Sequence, residues 1–149
     1  MKTGLVLEGG AMRGLFTAGV IDVLMENKIN FDVAIGVSAG AAFGVNLKSK
    51  QIGRVLRYNL RFAGKSYYAS WKSWRRSGNL YAANFCYHIL PDKLDIFDKE
   101  TFMANPMRFC CVATDAATGE PVYHELYDAG YVDLEWIRAS SSIPFFAHP

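Results

Sequence analysis

The sequence is short of cysteine, has no long apolar run and, over one whole segment, has no acid. Three cysteines, Cys86, Cys110 and Cys111, cannot all pair within one chain, and two of them are adjacent. None has metal-ligand spacing of the C-x-x-C kind, so reduced thiols are expected. No apolar run reaches the roughly 18 residues of a transmembrane helix. The opening Met1–Glu8 is apolar too briefly for a signal peptide and is broken by Gly4 and Glu8. An untargeted, cytoplasmic protein is therefore expected. What remains is a chain of 149 residues, 51% hydrophobic and 20% charged, in the proportions of one soluble domain with a real core.

The chain reads as alternating strand and helix. Thr3–Glu8 has an unbroken Leu5-Val6-Leu7 and is expected to be a short buried strand. Glycines follow, and then a densely apolar Gly14–Asn27 suits a helix packed on a sheet. Phe31–Val37 reads as a second strand, followed by helices over Ala41–Lys48 and Gln51–Ala63. Such an order with short connections marks a parallel sheet with right-handed crossovers. Ser66–Asn79 reads as a loop. Leu80–Ile89 is expected to be a helix that stops before Pro91, and Lys99–Ala104 a short one that stops before Pro106. Arg108–Thr114 is a strong strand with a turn to a partner over Pro121–Glu125. A last helix is expected near Val132–Ser141.

Two glycine-bearing motifs carry the chemistry. Gly36-Val37-Ser38-Ala39-Gly40 has the G-x-S-x-G form and lies between a strand and a helix, as a nucleophile elbow must. The glycines let neighbouring segments approach a sharp turn, and the helix that follows directs its positive end at the serine. Gly9-Gly10-Ala11-Met12-Arg13-Gly14 follows the first strand and opens the first helix. Such a loop presents several backbone N–H groups in one direction, which suits an oxyanion. In a parallel sheet of adjacent strands both loops emerge at the carboxyl edge, so both can reach one carbonyl. Ser38 is the candidate nucleophile, and Gly9, Gly10, Ala11, Met12, Arg13 and Gly14 are the candidate oxyanion hole. Arg13 can serve an oxyanion or phosphate, or can tie the loop to neighbouring carbonyls.

With these residues in place, the sequence resembles the patatin-like phospholipases. The family's oxyanion loop reads G-G-G-x-R/K-G, and residues 9–14 match it except for Ala11 at the third glycine. Alanine resists positive φ, so ordinary dihedrals are expected there. Ala113–Glu120 looks like the family's hairpin, and Arg138-Ala139-Ser140-Ser141-Ser142-Ile143-Pro144 like its A-S-x-x-I-P stretch. The resemblance implies a three-layer α/β/α fold with a mostly parallel sheet and the elbow after the second strand. It implies a Ser–Asp dyad that cleaves lipid or lysolipid esters through an acyl-enzyme, with no metal or other cofactor. The dyad aspartate belongs to a D-G-G or D-G-A motif after the A-S-x-x-I-P stretch, and none occurs before Pro149. Asp128-Ala129-Gly130 precedes that stretch and is out of order. Residues 1–149 are thus expected to be the N-terminal portion of one catalytic domain and inactive alone, with substitution by Asp115 or another acid as the alternative. No motif places His88, His124 or His148 beside Ser38.

Between Asp32 and Asp92 no acid offsets Lys48, Lys50, Arg54, Arg57, Arg61, Lys65, Lys72, Arg75 and Arg76. Arg54, Arg57 and Arg61 have helical spacing, with Ile52, Val55, Leu56 and Leu60 toward another side. Tyr67, Tyr68, Trp71 and Trp74 alternate with basic residues. The candidate role is peripheral contact with an anionic membrane through Arg54, Arg57, Arg61, Trp71 and Trp74. The plainer reading is a solvated helix face with aromatic packing. Nucleic-acid binding is not expected, since no recognised module accompanies the patch.

Rival classes fit less well. A dinucleotide site wants a glycine where Ala11 stands and an acid at the carboxyl end of strand two, which Ser38 occupies. A Walker loop wants Lys-Ser/Thr after Gly14, where Leu15-Phe16 stands. An ordinary α/β-hydrolase has its elbow after more strands and closes a triad with a distant histidine. An acyl transferase or a non-catalytic lipid-binding protein of the same fold remains the alternative.

Overall fold

The computed structural model describes residues 1–62, 64–65, 67–68, 74–75, 78, 81–143 and 147. Strand β1 (Gly4–Leu7) pairs in parallel with β2 (Val33–Val37), and β2 with β3 (Arg108–Thr114). Strand β4 (Pro121–Leu126) returns antiparallel to β3 through a turn closed by the Asp115 amide on the Glu120 carbonyl at 2.9 Å. The order β1-β2-β3-β4 makes an open, mostly parallel α/β sheet. Helix α1 (Gly14–Glu26) carries the crossover from β1 to β2, and α2 (Ala39–Lys48) starts where β2 ends. Then come α3 (Arg54–Phe62), the π-helical α4 (Phe85–Leu94), α5 (Lys99–Ala104) and α6 (Tyr131–Ser140).

The sheet's two faces differ because side chains alternate along a strand. Leu7, Ala34, Phe109, Cys111 and Leu126 point to a sealed face, where Ile21 and Met25 of α1, Val45 of α2 and Ile137 of α6 pack on them. Phe109 is fully buried, and truncating such a phenylalanine costs about 3–5 kcal/mol. The opposite face, with Val6, Ile35 and Cys110 aligned in register, is only partly covered among the described residues.

Three local expectations change. The first strand is not buried: it is the edge of the sheet, and Val6 is 77% exposed. Its apolar run could not show on which side a neighbour would sit. The fourth helix does not stop before Pro91 but runs through it as a π-helix. The wider turn relieves the clash between the proline ring and the preceding carbonyls, and its missing N–H leaves only one bond unmade.

The third change concerns the basic helix. Arg54 turns inward, only 4% exposed, and donates from Nη1 to Asn46 Oδ1 at 3.1 Å and from Nε and Nη2 to the Asp95 carbonyl at 3.1 and 2.5 Å. Its Nε also lies 3.3 Å from the Asp95 carboxylate. Arg57 grips that carboxylate with two bonds of 2.8 Å. Arg54 is therefore no part of an outward basic face, because an acid beyond the acid-free segment draws it into the fold. Arg61 stays exposed, Trp74 is half-buried, and Trp71 lies outside the described residues. Of the apolar residues on the other side, Ile52, Leu56 and Leu60 are exposed and Val55 is buried.

Candidate active site

Leu7 of β1 stands opposite Gly36 of β2, so the two strands end level and their loops emerge side by side. A Cβ placed on Gly9 would lie 3.1 Å from Ser38 Cβ and 3.8 Å from its Oγ. The glycine loop and the serine thus share one small volume.

The elbow is built by close approach. A Cβ on Gly36 would fall 2.6 Å from the Gly40 carbonyl oxygen, and one on Gly40 would overlap the Leu7 carbonyl. Only glycine fits either place. Ser38 itself sits at φ 53, ψ −121, a conformation that non-glycine residues rarely hold without surrounding constraint. Ser38 is also the N-cap of α2, and Gly14 at the head of α1 packs against Ala39 and Phe43. Two helix N-termini therefore converge; the Gly14 amide at the head of α1 is bonded to the Ala11 carbonyl, and the head of α2 carries the N–H groups without helical partners and a partial positive charge.

In the glycine loop, Ala11 takes φ 47. This overturns the ordinary dihedrals expected for it: the turn from extended Gly10 into the short 3-10 turn Ala11–Arg13 demands a left-handed residue, and alanine adopts it at some strain. The Arg13 amide is committed to the Gly10 carbonyl at 3.0 Å. Among the described residues no hydrogen bond engages the amides of Gly10 or Ala11. The Arg13 side chain is exposed and binds no neighbouring carbonyl among those residues, so it does not tie the loop down.

Ser140 escaped the motif reading of the site. Its Oγ accepts the Ser38 amide at 2.8 Å and donates to the Val112 carbonyl at 2.5 Å. The Ser38 N–H is thereby committed to shaping the elbow. The only signal in the sequence was membership of the Ala139–Pro144 stretch, and Pro144 lies outside the described residues.

An apolar cavity of about 430 Å³ opens on this point. Gly10, Ala11, Met12, Ser38 and Ala39 line one part of it, and Phe43, Leu90, Phe97 and Phe102 are among its apolar walls. Cys86 also lines it, and burial pushes that thiol up to about 12, which leaves it protonated and inert.

Among the described residues no carboxylate or imidazole hydrogen-bonds Ser38 Oγ. Asp115 accepts the amides of Ala117 and Thr118 in its turn, bonds that hold its carboxyl below the usual range. Asp133 accepts the amides of Tyr127, Asp128 and Ala129. His124 lies 3.1 Å from Asp133 and stacks on Trp136, and His88 stacks on Tyr131 3.6 Å from Glu135. His148 lies outside the described residues.

A sequence model of the patatin-like phospholipases matches residues 5–149. The chain belongs to that family. A curated relative, the uncharacterized protein YjjU of Escherichia coli (strain K12), is 30% identical over 150 residues. The match covers 97% of this patatin-like chain and 41% of the relative, so the chain spans less than half of that protein's length. Among the described residues no helix is long and apolar enough to cross a membrane.

Proposed function

We propose that this patatin-like chain carries the nucleophile and oxyanion hole of a serine hydrolase acting on carboxylic esters of lipids. The observation that carries the reading is the strained Ser38 beside Gly9 at an apolar cavity. Ser38 Oγ attacks the acyl carbon, and its proton goes to the leaving alcohol. Charge on the carbonyl oxygen is met by the amides of Gly10 and Ala11 and by the head of α2, where one donor is worth on the order of 10²–10³ in rate. Water then cleaves the acyl-enzyme, releasing the fatty acid and restoring the Ser38 hydroxyl.

The base is an aspartate outside residues 1–149, as the Ser–Asp dyad of the family implies. An aspartate with an ordinary pKa near 4 is a weak base in water and a better one in a dehydrated pocket. The absence, among the described residues, of any base on Ser38 Oγ favours one second reading, a lipid-binding protein without turnover.

Fluorophosphonate labelling of the intact protein separates the two. Ser38 is expected to take the label and Ser38→Ala to lose it together with ester turnover. Equal labelling of both proteins would end the assignment of Ser38. Residues 1–149 alone are expected to turn over p-nitrophenyl esters barely above background, and robust turnover by them would refute the external base.

A further inference from the structure

Among the polar side chains that line the cavity, Arg54, Tyr58 and Arg138 included, one hydroxyl stands out. Ser141 follows Ser140 at the end of α6 and lines the cavity that Ser38 lines. Its hydroxyl is closed to solvent and has no hydrogen-bond partner among the described residues. A buried hydroxyl left unpaired costs about 1–3 kcal/mol, so an orphan of this kind calls for a reason. Tyr87 of α4 lines the same cavity, and the Ser141 hydroxyl acts on its hydroxyl as a hydrogen-bonding neighbour, though no bond of good geometry joins the two. Burial pushes the Tyr87 hydroxyl up to about 12, so it stays a neutral donor at physiological pH.

Two neutral hydroxyls can each give and receive a hydrogen bond, which suits an oxygen that is itself both donor and acceptor, as an alcohol is. Their place is also informative. Ser140, one residue away, holds the Ser38 amide, and Ser141, Tyr87 and Ser38 all line the one cavity. The space itself measures about 430 Å³ and its walls include Phe43, Leu90, Phe97 and Phe102, which suits an acyl chain.

We propose that Ser141 and Tyr87 form a substrate-binding pair for the alcohol side of a monoacyl lipid ester, hydrogen-bonding a free hydroxyl next to the scissile bond. This rests on the hydrolase reading for turnover but not for binding. Monoacylglycerols and lysophospholipids both carry that hydroxyl.

The test uses the intact protein with Ser141→Ala and Tyr87→Phe. Calorimetric affinity for a 1-O-alkylglycerol, an ether that cannot be hydrolysed, is expected to fall about tenfold in each variant. In turnover, kcat/KM is expected to fall about tenfold on a monoacylglycerol and on a lysophosphatidylcholine. On the p-nitrophenyl ester of the same acid it should stay within about twofold. Ser141→Ala should keep or raise the melting temperature, because it removes an unpaired buried hydroxyl. Unchanged ether binding overturns the proposal, as does an equal fall on all three esters. A fall on the lysophosphatidylcholine alone overturns it too, since the contact would then be with phosphate. Wild-type protein inert on every ester yet binding the ether would sink the hydrolase reading and leave the pair standing.

Discussion

The Ser140 hydroxyl bridges the amide of Ser38 and the carbonyl of Val112, joining α6, β3 and the elbow at a single atom. The Ser38 amide is therefore a structural donor, which leaves the glycine loop and the head of α2 as the donors of the proposed oxyanion hole. Ser140→Ala would orphan two backbone groups at once, for about 1–3 kcal/mol of stability. The elbow would also lose its tether, and the rate of fluorophosphonate labelling of Ser38 is expected to fall about tenfold or more. Ser140→Thr keeps the hydroxyl and should recover most of that rate. Full-rate labelling in the alanine variant would show that the elbow holds its shape without the bridge.

Ala11 offers a test in the opposite direction. Its left-handed backbone costs about 1–2 kcal/mol that glycine would not incur. Glycine also gains freedom in the unfolded chain, which takes back up to about 1 kcal/mol. Ala11→Gly is therefore expected to leave stability level or raise the melting temperature by a few degrees, with Ser38 labelling undiminished. A clear loss of stability would mean that the methyl group packs usefully.

Gly40 permits no such latitude. Any Cβ there meets the Leu7 backbone, which cannot yield without opening the β1–β2 pairing. Gly40→Ala should cost about 3 kcal/mol or more and show as a collapse in the denaturation midpoint, at or beyond the upper end for overpacked cores. By contrast Gly19, where an added methyl group would meet nothing within 4 Å, should accept alanine with a small gain.

The parts legible in the sequence are those where a local pattern and a tertiary demand coincide. Gly36 and Gly40 announce a turn that needs glycine, and the fold needs glycine at both for reasons of space. The strands around Ile35 and Cys110 are apolar because they pair inside the sheet. What stayed illegible depends on partners distant in sequence. Ser140 reaches Ser38 across 102 residues, and the stretch Ala139–Pro144 marks its place but not its partner. Arg54 and Arg57 sit in an acid-free stretch, yet both meet Asp95, 41 and 38 positions on. Pro91 signals a helix end by rule, and a π turn absorbs it.

The same pairing with Asp95 redraws the membrane question. Helix α3 lines the cavity with Arg54 and Tyr58 on one side. On the other it exposes Leu56 and Leu60 beside Arg57 and Arg61, with Ile52 exposed just ahead of it. An apolar strip edged by cations matches an anionic bilayer, and each basic residue at such a surface contributes about 1 kcal/mol. Sedimentation with phosphatidylserine vesicles is expected to weaken several-fold in Leu56→Ser/Leu60→Ser, and in Arg61→Gln more strongly at low salt. Arg54→Gln is the contrast: it should leave vesicle binding alone while destabilising the fold, because it removes a buried partner of Asp95. If the leucine pair and Arg61 can be replaced with no change in sedimentation, α3 does not face the membrane.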